Sequence, residues 1–180
     1  MIADEIRSER ITLRILDDSH VGDRYLTWMN DLDVIQYLES RYSPASLEGL
    51  ASFVTSMRES PDSYLFGIMS NETGEHLGNI KLGPINSHHL RGPVGVIIGE
   101  RSAWGRGIAT EAVAALSGWA FDSLGLRKLV AGSYTDNVGS TRAFEKAGFR
   151  IEGHQLQEII KVDGTRGDVF VLGMTLEDRP

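Results

Sequence analysis

Glu100-Arg101-Ser102-Ala103-Trp104-Gly105-Arg106-Gly107-Ile108-Ala109-Thr110-Glu111 is the stretch whose reading decides the fold. Gly105 and Gly107, one residue apart, let the backbone turn tightly. Ala109, Val113, Leu116 and Ala120 recur at helical spacing, so a helix N-terminus stands at that turn. Its unpaired N–H groups and positive dipole end suit an anion. A mononucleotide P-loop is excluded, because Gly107 is followed by Ile108 and Ala109 and not by Lys-Ser or Lys-Thr. A dinucleotide fingerprint fails at its last place, which is Thr110, and the next strand ends in Ala131-Gly132-Ser133 where an acidic residue is required. For the motif taken alone, a plain glycine turn leading into a core helix stays open.

Working outward, Val94-Gly95-Val96-Ile97-Ile98-Gly99 reads as a strand apolar on both faces, hence central to a sheet, that delivers the chain into the turn. Before it, Tyr64–Met69 and His76–Leu82 read as a hairpin around Asn71-Glu72-Thr73-Gly74. Arg10–Leu16 alternates at period two, as a half-buried first strand does. Val21–Leu38 reads as two short helices broken at Asn30-Asp31, and Ser46 is an N-cap for a helix with Leu47, Leu50, Phe53, Val54 and Met57 on one face. Between Pro84 and Pro93 lies a polar loop with Asn86, His88 and His89. The paired histidines invite a metal reading, but with no Cys or carboxylate at ligand spacing a mobile loop bordering a binding site is the better one. After the turn and its helix come a strand Lys128–Ser133, a helix opening at Asn137, Phe149-Arg150-Ile151, and a hairpin of Gln155–Val162 with Asp168–Met174. This order gives an α+β domain with a mixed, mostly antiparallel sheet.

With 180 residues, 41% of them hydrophobic, the chain suits a single domain over residues 1–180, with an ordered core from about residue 8 to 176. Cys is absent, which excludes disulfides, thiolate metal sites and an acyl-cysteine mechanism. The net charge of −7, with no Lys/Arg block, argues against nucleic acid or an anionic membrane as partner and mildly favours a cationic substrate. Met1-Ile2-Ala3-Asp4-Glu5-Ile6-Arg7 lacks an apolar leader and no run is long enough to span a bilayer, so a cytoplasmic location is expected.

Trp104-Gly105-Arg106-Gly107-Ile108-Ala109-Thr110-Glu111-Ala112 resembles the acetyl-CoA pyrophosphate loop of the GNAT N-acetyltransferases, in particular the branch with the ribosomal-protein N-terminal acetyltransferases. Downstream, Asp136-Asn137-Val138-Gly139-Ser140, Ala143-Phe144-Glu145-Lys146-Ala147-Gly148-Phe149 and Glu152-Gly153 resemble the Asn-x-x-Ser helix and Gly-Phe strand start of that branch. The resemblance runs from about Arg10 to Leu176. It implies a single GNAT-like domain with helices on both faces of the sheet and a splayed cleft for acetyl-CoA as co-substrate, with no metal. It departs from the family at Trp104, where members often carry Gln or Arg, and that leaves the backbone cradle intact.

Acetyl transfer from a thioester to an amine needs a held donor, a deprotonated amine and a proton for the leaving thiolate. Backbone N–H groups of Gly105, Arg106, Gly107, Ile108, Ala109 and Thr110 would hold the donor's diphosphate, with Trp104 beside them in the same loop and the glycines keeping the backbone close to it. By resemblance, the exposed backbone of Val96, Ile97 and Ile98 would bind the pantetheine arm as an added strand. Many members use a tyrosine for the thiolate, but its place here is Phe144, so the resemblance shifts the role to Ser140, with Asn137 near the pantetheine or a water. Both residues suit helix capping equally. Glu158 is the candidate base, although counting from Gly153 it falls one residue early, and a strand slip of one residue faces it the wrong way unless a bulge intervenes. His154 and a water chain are its rivals.

Trp28-x-Asn30-Asp31-x-Asp33-Val34 resembles the family's roof over the acceptor site, which makes Trp28 and Tyr37 candidate substrate contacts together with His89; the alternative is that the two aromatics are core residues. The amine acceptor is either a protein N-terminal α-amine, as in the ribosomal branch, or a small amine such as an amino sugar, a polyamine or an aminoglycoside. The Trp28–Tyr42 segment resembles members associated with bacterial surface-sugar pathways. An acyl-CoA-binding sensor without turnover is the non-enzyme alternative. Homodimers are common among relatives, and nothing in the sequence decides for or against one.

Overall fold

The first strands pair because Ile11 and Leu13 both point inward and are wholly buried. A computed structural model describes residues 5–179, so Met1–Asp4, part of the segment read as leaderless, and Pro180 lie outside the described residues. β1 (Glu5–Arg7) and β2 (Ile11–Ile15) are antiparallel, then α1 (Asp23–Met29), α2 (Leu32–Ile35) and α3 (Leu47–Glu59) follow. β3 (Tyr64–Ser70), β4 (His76–Leu82) and β5 (Arg91–Ile98) lead into α4 (Ile108–Asp122). β6 (Lys128–Tyr134), α5 (Val138–Lys146), β7 (Arg150–Ile160) and β8 (Arg166–Thr175) complete the chain. The strands form one sheet in the order β1-β2-β3-β4-β5-β6-β8-β7. It is the expected α+β, mixed and mostly antiparallel arrangement, the one parallel pair among the described residues being β5 with β6.

Helices cover both faces. Under α4, Ala112, Val113, Leu116 and Ala120 are wholly buried and join Leu13, Phe66, Ile80, Leu129 and Phe144 in the main core. A second core under α1, α2 and α3 holds Leu16, Tyr25, Trp28, Ile35, Leu50 and Val54. Each fully buried Leu or Phe contributes roughly 2 kcal/mol against its exposed state. Ser46 caps α3 as expected, its hydroxyl accepting the Gly49 N–H at 3.1 Å. Of the expected apolar face, however, Leu50 and Val54 are buried while Leu47 and Phe53 lie at the exposed margin, so the buried stripe is narrower than the apolar pattern.

The sheet opens at one place. β5 and β6 pair only through Arg91 with Lys128, Gly92 with Leu129 and Pro93 with Val130. Past Pro93, which has no N–H to donate, β5 continues on β4 alone through Val94, Val96 and Ile98. β6 continues on β8 alone, as far as Tyr134 with Val169. The stretch expected to be central, residues 94–99, therefore pairs on one side only, the two-sided part of β5 being Arg91–Pro93 before it, and it presents a free backbone edge to a cleft. β7 is longer than the two pieces expected from its sequence, since Arg150–Ile160 forms one strand with register shifts after Ile151 and after Gln155.

Candidate active site

The turn after β5 is built by conformation. Gly105 has φ +72° and Gly107 φ +78°, the left-handed region that side chains with a Cβ rarely adopt. A Cβ on Gly105 would meet nothing within 4 Å, so it is backbone dihedral, more than lack of space, that selects glycine there. Gly107 is the N-cap residue of α4 and offers no side chain, which leaves the first N–H groups of the helix without a side-chain partner.

A cavity of about 450 Å³ occupies the split between β5 and α5. Its lining brings together Val96, Ile97 and Ile98 from the free edge of β5, Trp104, Gly105, Gly107, Ile108, Ala109 and Thr110 from the turn and first helical residues, and Asn137 and Ser140 from the start of α5. Sequence segments about 40 residues apart thus line one cavity. Arg106 departs from this pattern: it is absent from the lining, and its carbonyl accepts from the Arg10 guanidinium at 2.7 Å on the other side of the loop. Trp104 spends its polar atom inside the protein, the indole N–H donating to the Ile98 carbonyl at 2.8 Å. Asn137 is the N-cap of α5, its side-chain oxygen accepting the Ser140 N–H at 3.1 Å, and both residues still line the cavity.

A second cavity of about 360 Å³ adjoins the first, sharing Gln36 and Tyr37. Tyr134, Asp136, Ile159, Lys161, Asp163 and Asp168 complete most of its wall. Lys161 is paired with Asp136 at 2.5 Å, and that bond holds its ammonium above the usual lysine range. The Gln157 N–H, bound at 2.8 Å, and then His154 hold the Asp168 carboxyl below its usual range, as the Thr165 hydroxyl does for Asp163. Fixed negative charge therefore dominates this wall. The Tyr37 hydroxyl reaches the Asp136 carbonyl at 3.5 Å, and its ring meets Tyr134 edge to face at 6.0 Å. Tyr37 stands at the junction of the two cavities.

The other expected acceptor contacts are corrected by the structure. Trp28 is 5% exposed and lines neither cavity; it packs in the second core, 5.0 Å from the His76 ring and flat against Gly99, where a Cβ would come within 2.0 Å of the indole. Its reading as a core aromatic stands. His89 lies in the loop before Arg91, at the start of β5, whereas the cavity is at the strand's other end, about 20 Å along the chain direction. Its backbone N–H is bound by Asn86 at 2.9 Å, and it borders no part of the cleft. Glu158 does sit in an irregularity, Leu156 to Glu158 all lying opposite Asp168. The side chain is exposed and lines neither cavity, while its neighbour Ile159 lines the second.

Several site residues escaped the sequence reading. Arg142 and Lys146 line the first cavity one helical turn apart on α5, and their spacing from Gly139 was a usable signal. Arg41 gave none. Its side chain is 3% exposed, and it donates to the Leu38 carbonyl (2.7 Å), the Tyr134 hydroxyl (2.9 Å), the Tyr42 hydroxyl (2.5 Å) and the Ile160 carbonyl (2.8 Å). Tyr134 in turn donates to Glu39. Burial, and then that carboxylate, push the Tyr134 phenol up, so it keeps its proton. This network ties the segment carrying Gln36 and Tyr37 to the ends of β6 and β7.

Residues 10–150 match the acetyltransferase (GNAT) domain family. The N-acetyltransferase 9-like protein of Caenorhabditis briggsae is 32% identical over 151 residues, covering 79% of this chain and 75% of that one. The spermidine N-acetyltransferase of Vibrio cholerae, solved with CoA and spermine, superimposes with a TM-score of 0.85 at 20% identity, covering 95% of this chain and 98% of that one. The ribosomal-protein-S5-alanine acetyltransferase of Vibrio fischeri superimposes with a TM-score of 0.82 at 18% identity, covering 98% of each chain. At such identities the structural likeness speaks for the fold alone.

Proposed function

Because the chain belongs to the acetyltransferase (GNAT) family, we propose that it transfers an acetyl group from acetyl-CoA to a primary amine, with the donor in the first cavity and the amine arriving through the second. The observation that carries this reading is the split after Pro93. It leaves a strand edge free beside a turn whose two glycines hold left-handed conformations at a helix N-terminus. A strand edge suits an extended amide-bearing arm, and the N-terminus of α4 suits a diphosphate. Arg142 and Lys146 on the same cavity add positive charge for an anionic donor.

In the reaction a nitrogen–carbon bond forms to the acetyl carbonyl as the carbon–sulfur bond breaks. The ammonium gives up two protons and keeps the third as the amide N–H; one leaves through the base to solvent, and the thiolate takes the other. Ser140, on the cavity wall beside Asn137, is the side chain assigned to the thiolate. For the amine, Glu158 remains a candidate base only through a water, because it is exposed and outside both linings. Asp168, ionised and on the second wall with His154 bonded to it at 2.9 Å, is the nearer alternative. The three carboxylates of that wall favour a cationic acceptor, and both a polyamine or amino sugar and a protein N-terminus meet that description.

The test is thiol release from acetyl-CoA against a panel of polyamines, amino sugars, aminoglycosides and peptides with free N-termini; the absence of Cys keeps the readout clean. Turnover with one class fixes the acceptor. Glu158→Gln, Asp168→Asn and Ser140→Ala then separate the roles, since the true base loses kcat steeply at high acceptor concentration. Tight acetyl-CoA binding with no turnover across the panel would favour a binding module instead.

A further inference from the structure

α4 carries a feature at odds with anion binding. Glu111 sits in its first turn, where a carboxylate occupies the same positive field a diphosphate would use. A residue 101 positions earlier cancels it. The Arg10 backbone N–H donates to Glu111 Oε1 at 2.7 Å, and its Nε donates to Oε2 at 2.7 Å. The pair is shielded at one end, the Glu111 side chain being 12% exposed.

The same guanidinium reaches the turn itself. Its Nη1 donates to the Arg106 carbonyl at 2.7 Å, and its Nη2 stands 3.4 Å from where a Cβ on Gly107 would be. A peptide unit is planar and trans, so the N–H of Gly107 points opposite to the Arg106 carbonyl. With the carbonyl held toward Arg10, the Gly107 N–H is aimed away from it. Gly107 lines the first cavity and Arg10 does not.

We propose that Arg10 is a positioning residue for the donor's diphosphate: it neutralises Glu111 and, by holding the Arg106 carbonyl, aims the Gly107 N–H into the cavity. The inference rests on the donor assignment made above. Arg10 touches no ligand and acts through two other residues. The two members of the ion pair should then behave differently: removing the arginine weakens anion binding, whereas removing the Glu111 charge does not.

CoA itself is the probe, titrated calorimetrically into the whole protein at low and high salt. Wild type binding CoA secures the donor assignment, and its failure to bind would sink that assignment before the Arg10 question arises. Arg10→Met is expected to bind CoA about tenfold more weakly, the size of a charge–dipole imbalance at a helix N-terminus, with the loss shrinking at high salt. Glu111→Gln should bind as tightly as wild type or more so, and the double variant should recover the part of the loss that comes from the uncompensated Glu111 charge while keeping the part that comes from the released Arg106 carbonyl. Arg10→Lys, which keeps the charge, should stay within about threefold of wild type. Should Arg10→Met fail to fold, the Glu111→Gln and Arg10→Lys results still decide. Unchanged affinity in Arg10→Met, or in Glu111→Gln a loss comparable to that expected for Arg10→Met, would overturn the proposal.

Discussion

The indole N–H of Trp104 donates to the carbonyl of Ile98 at 2.8 Å, so the last residue of β5 and the first bend of the turn are tied directly to each other. The bond fixes the angle between the free strand edge and the N-terminus of α4, the two surfaces a single extended donor must satisfy together. Trp104→Phe keeps an aromatic side chain and removes the bond, at a cost of about 1 kcal/mol. The expected result is a three- to tenfold weaker acetyl-CoA affinity by titration, with a melting temperature lowered by only about 2–4 °C.

Gly107→Ala should be costly where Gly22→Ala is not. Gly107 holds φ +78°, where an alanine is strained by about 1–2 kcal/mol. Gly22, the N-cap of α1, has φ −161° and open space around its Cβ position. Urea unfolding should show a loss of roughly 1–2 kcal/mol for the first and less than about 0.5 kcal/mol for the second. Donor affinity should fall only for the first.

Arg41→Met should unfold the protein more easily by about 2–4 kcal/mol, since the Leu38 and Ile160 carbonyls and the Tyr134 hydroxyl lose a charged donor in a buried setting. Tyr134→Phe, which removes one arm of the same network, should cost about 1–2 kcal/mol. A double-mutant cycle checks the account: the two losses should fall well short of adding, because both variants cut the Arg41–Tyr134 bond.

His76 sets a pH dependence of stability. Its ring is packed against Trp28 and bonded through Nε2 to the Asn79 side chain at 2.7 Å. Burial holds its pKa below the usual histidine value, the Asn79 bond only partly offsetting this. The unfolded state therefore binds a proton that the folded state refuses, and stability rises with pH across that window. The contribution is complete above the unfolded value of about 6.5 and is lost as pH falls toward the lower folded value. Wild type should lose more stability than His76→Gln between about pH 7.5 and pH 5.5 in urea titrations.

What the sequence made legible was local. The turn at Gly105 and Gly107, the cap at Asn137 and the hairpin of β3 with β4 all rest on residues within a few positions of each other, and all are present. The departure of β6 from β5 after Pro93 depends on what pairs with what, which no window of sequence contains. β1 escaped for the same reason, since its three residues gain order only from pairing with β2. Arg10 and Arg41 gave no sign of their roles because Arg106, Glu111, Tyr134 and Ile160 lie 93 to 119 positions away. Trp28 was ambiguous in sequence, as a large aromatic is equally at home in a core or a binding site. His89 was placed through a polar loop expected to border the acceptor, and that loop lies at the opposite end of β5 from the cleft; Glu158 was placed by counting from Gly153, and its strand carries an irregularity after Gln155 that no count contains.

The central claim is that the donor lies along the free half of β5 with its diphosphate at the N-terminus of α4. Amide hydrogen exchange with and without saturating acetyl-CoA tests it most directly, because a ligand that binds only the native state must slow opening where it is held. The account predicts new protection concentrated in two segments, Val96–Ile98 and Gly105–Thr110, with the loop around His89 unchanged. Protection confined to other segments, or none at saturation, would contradict it.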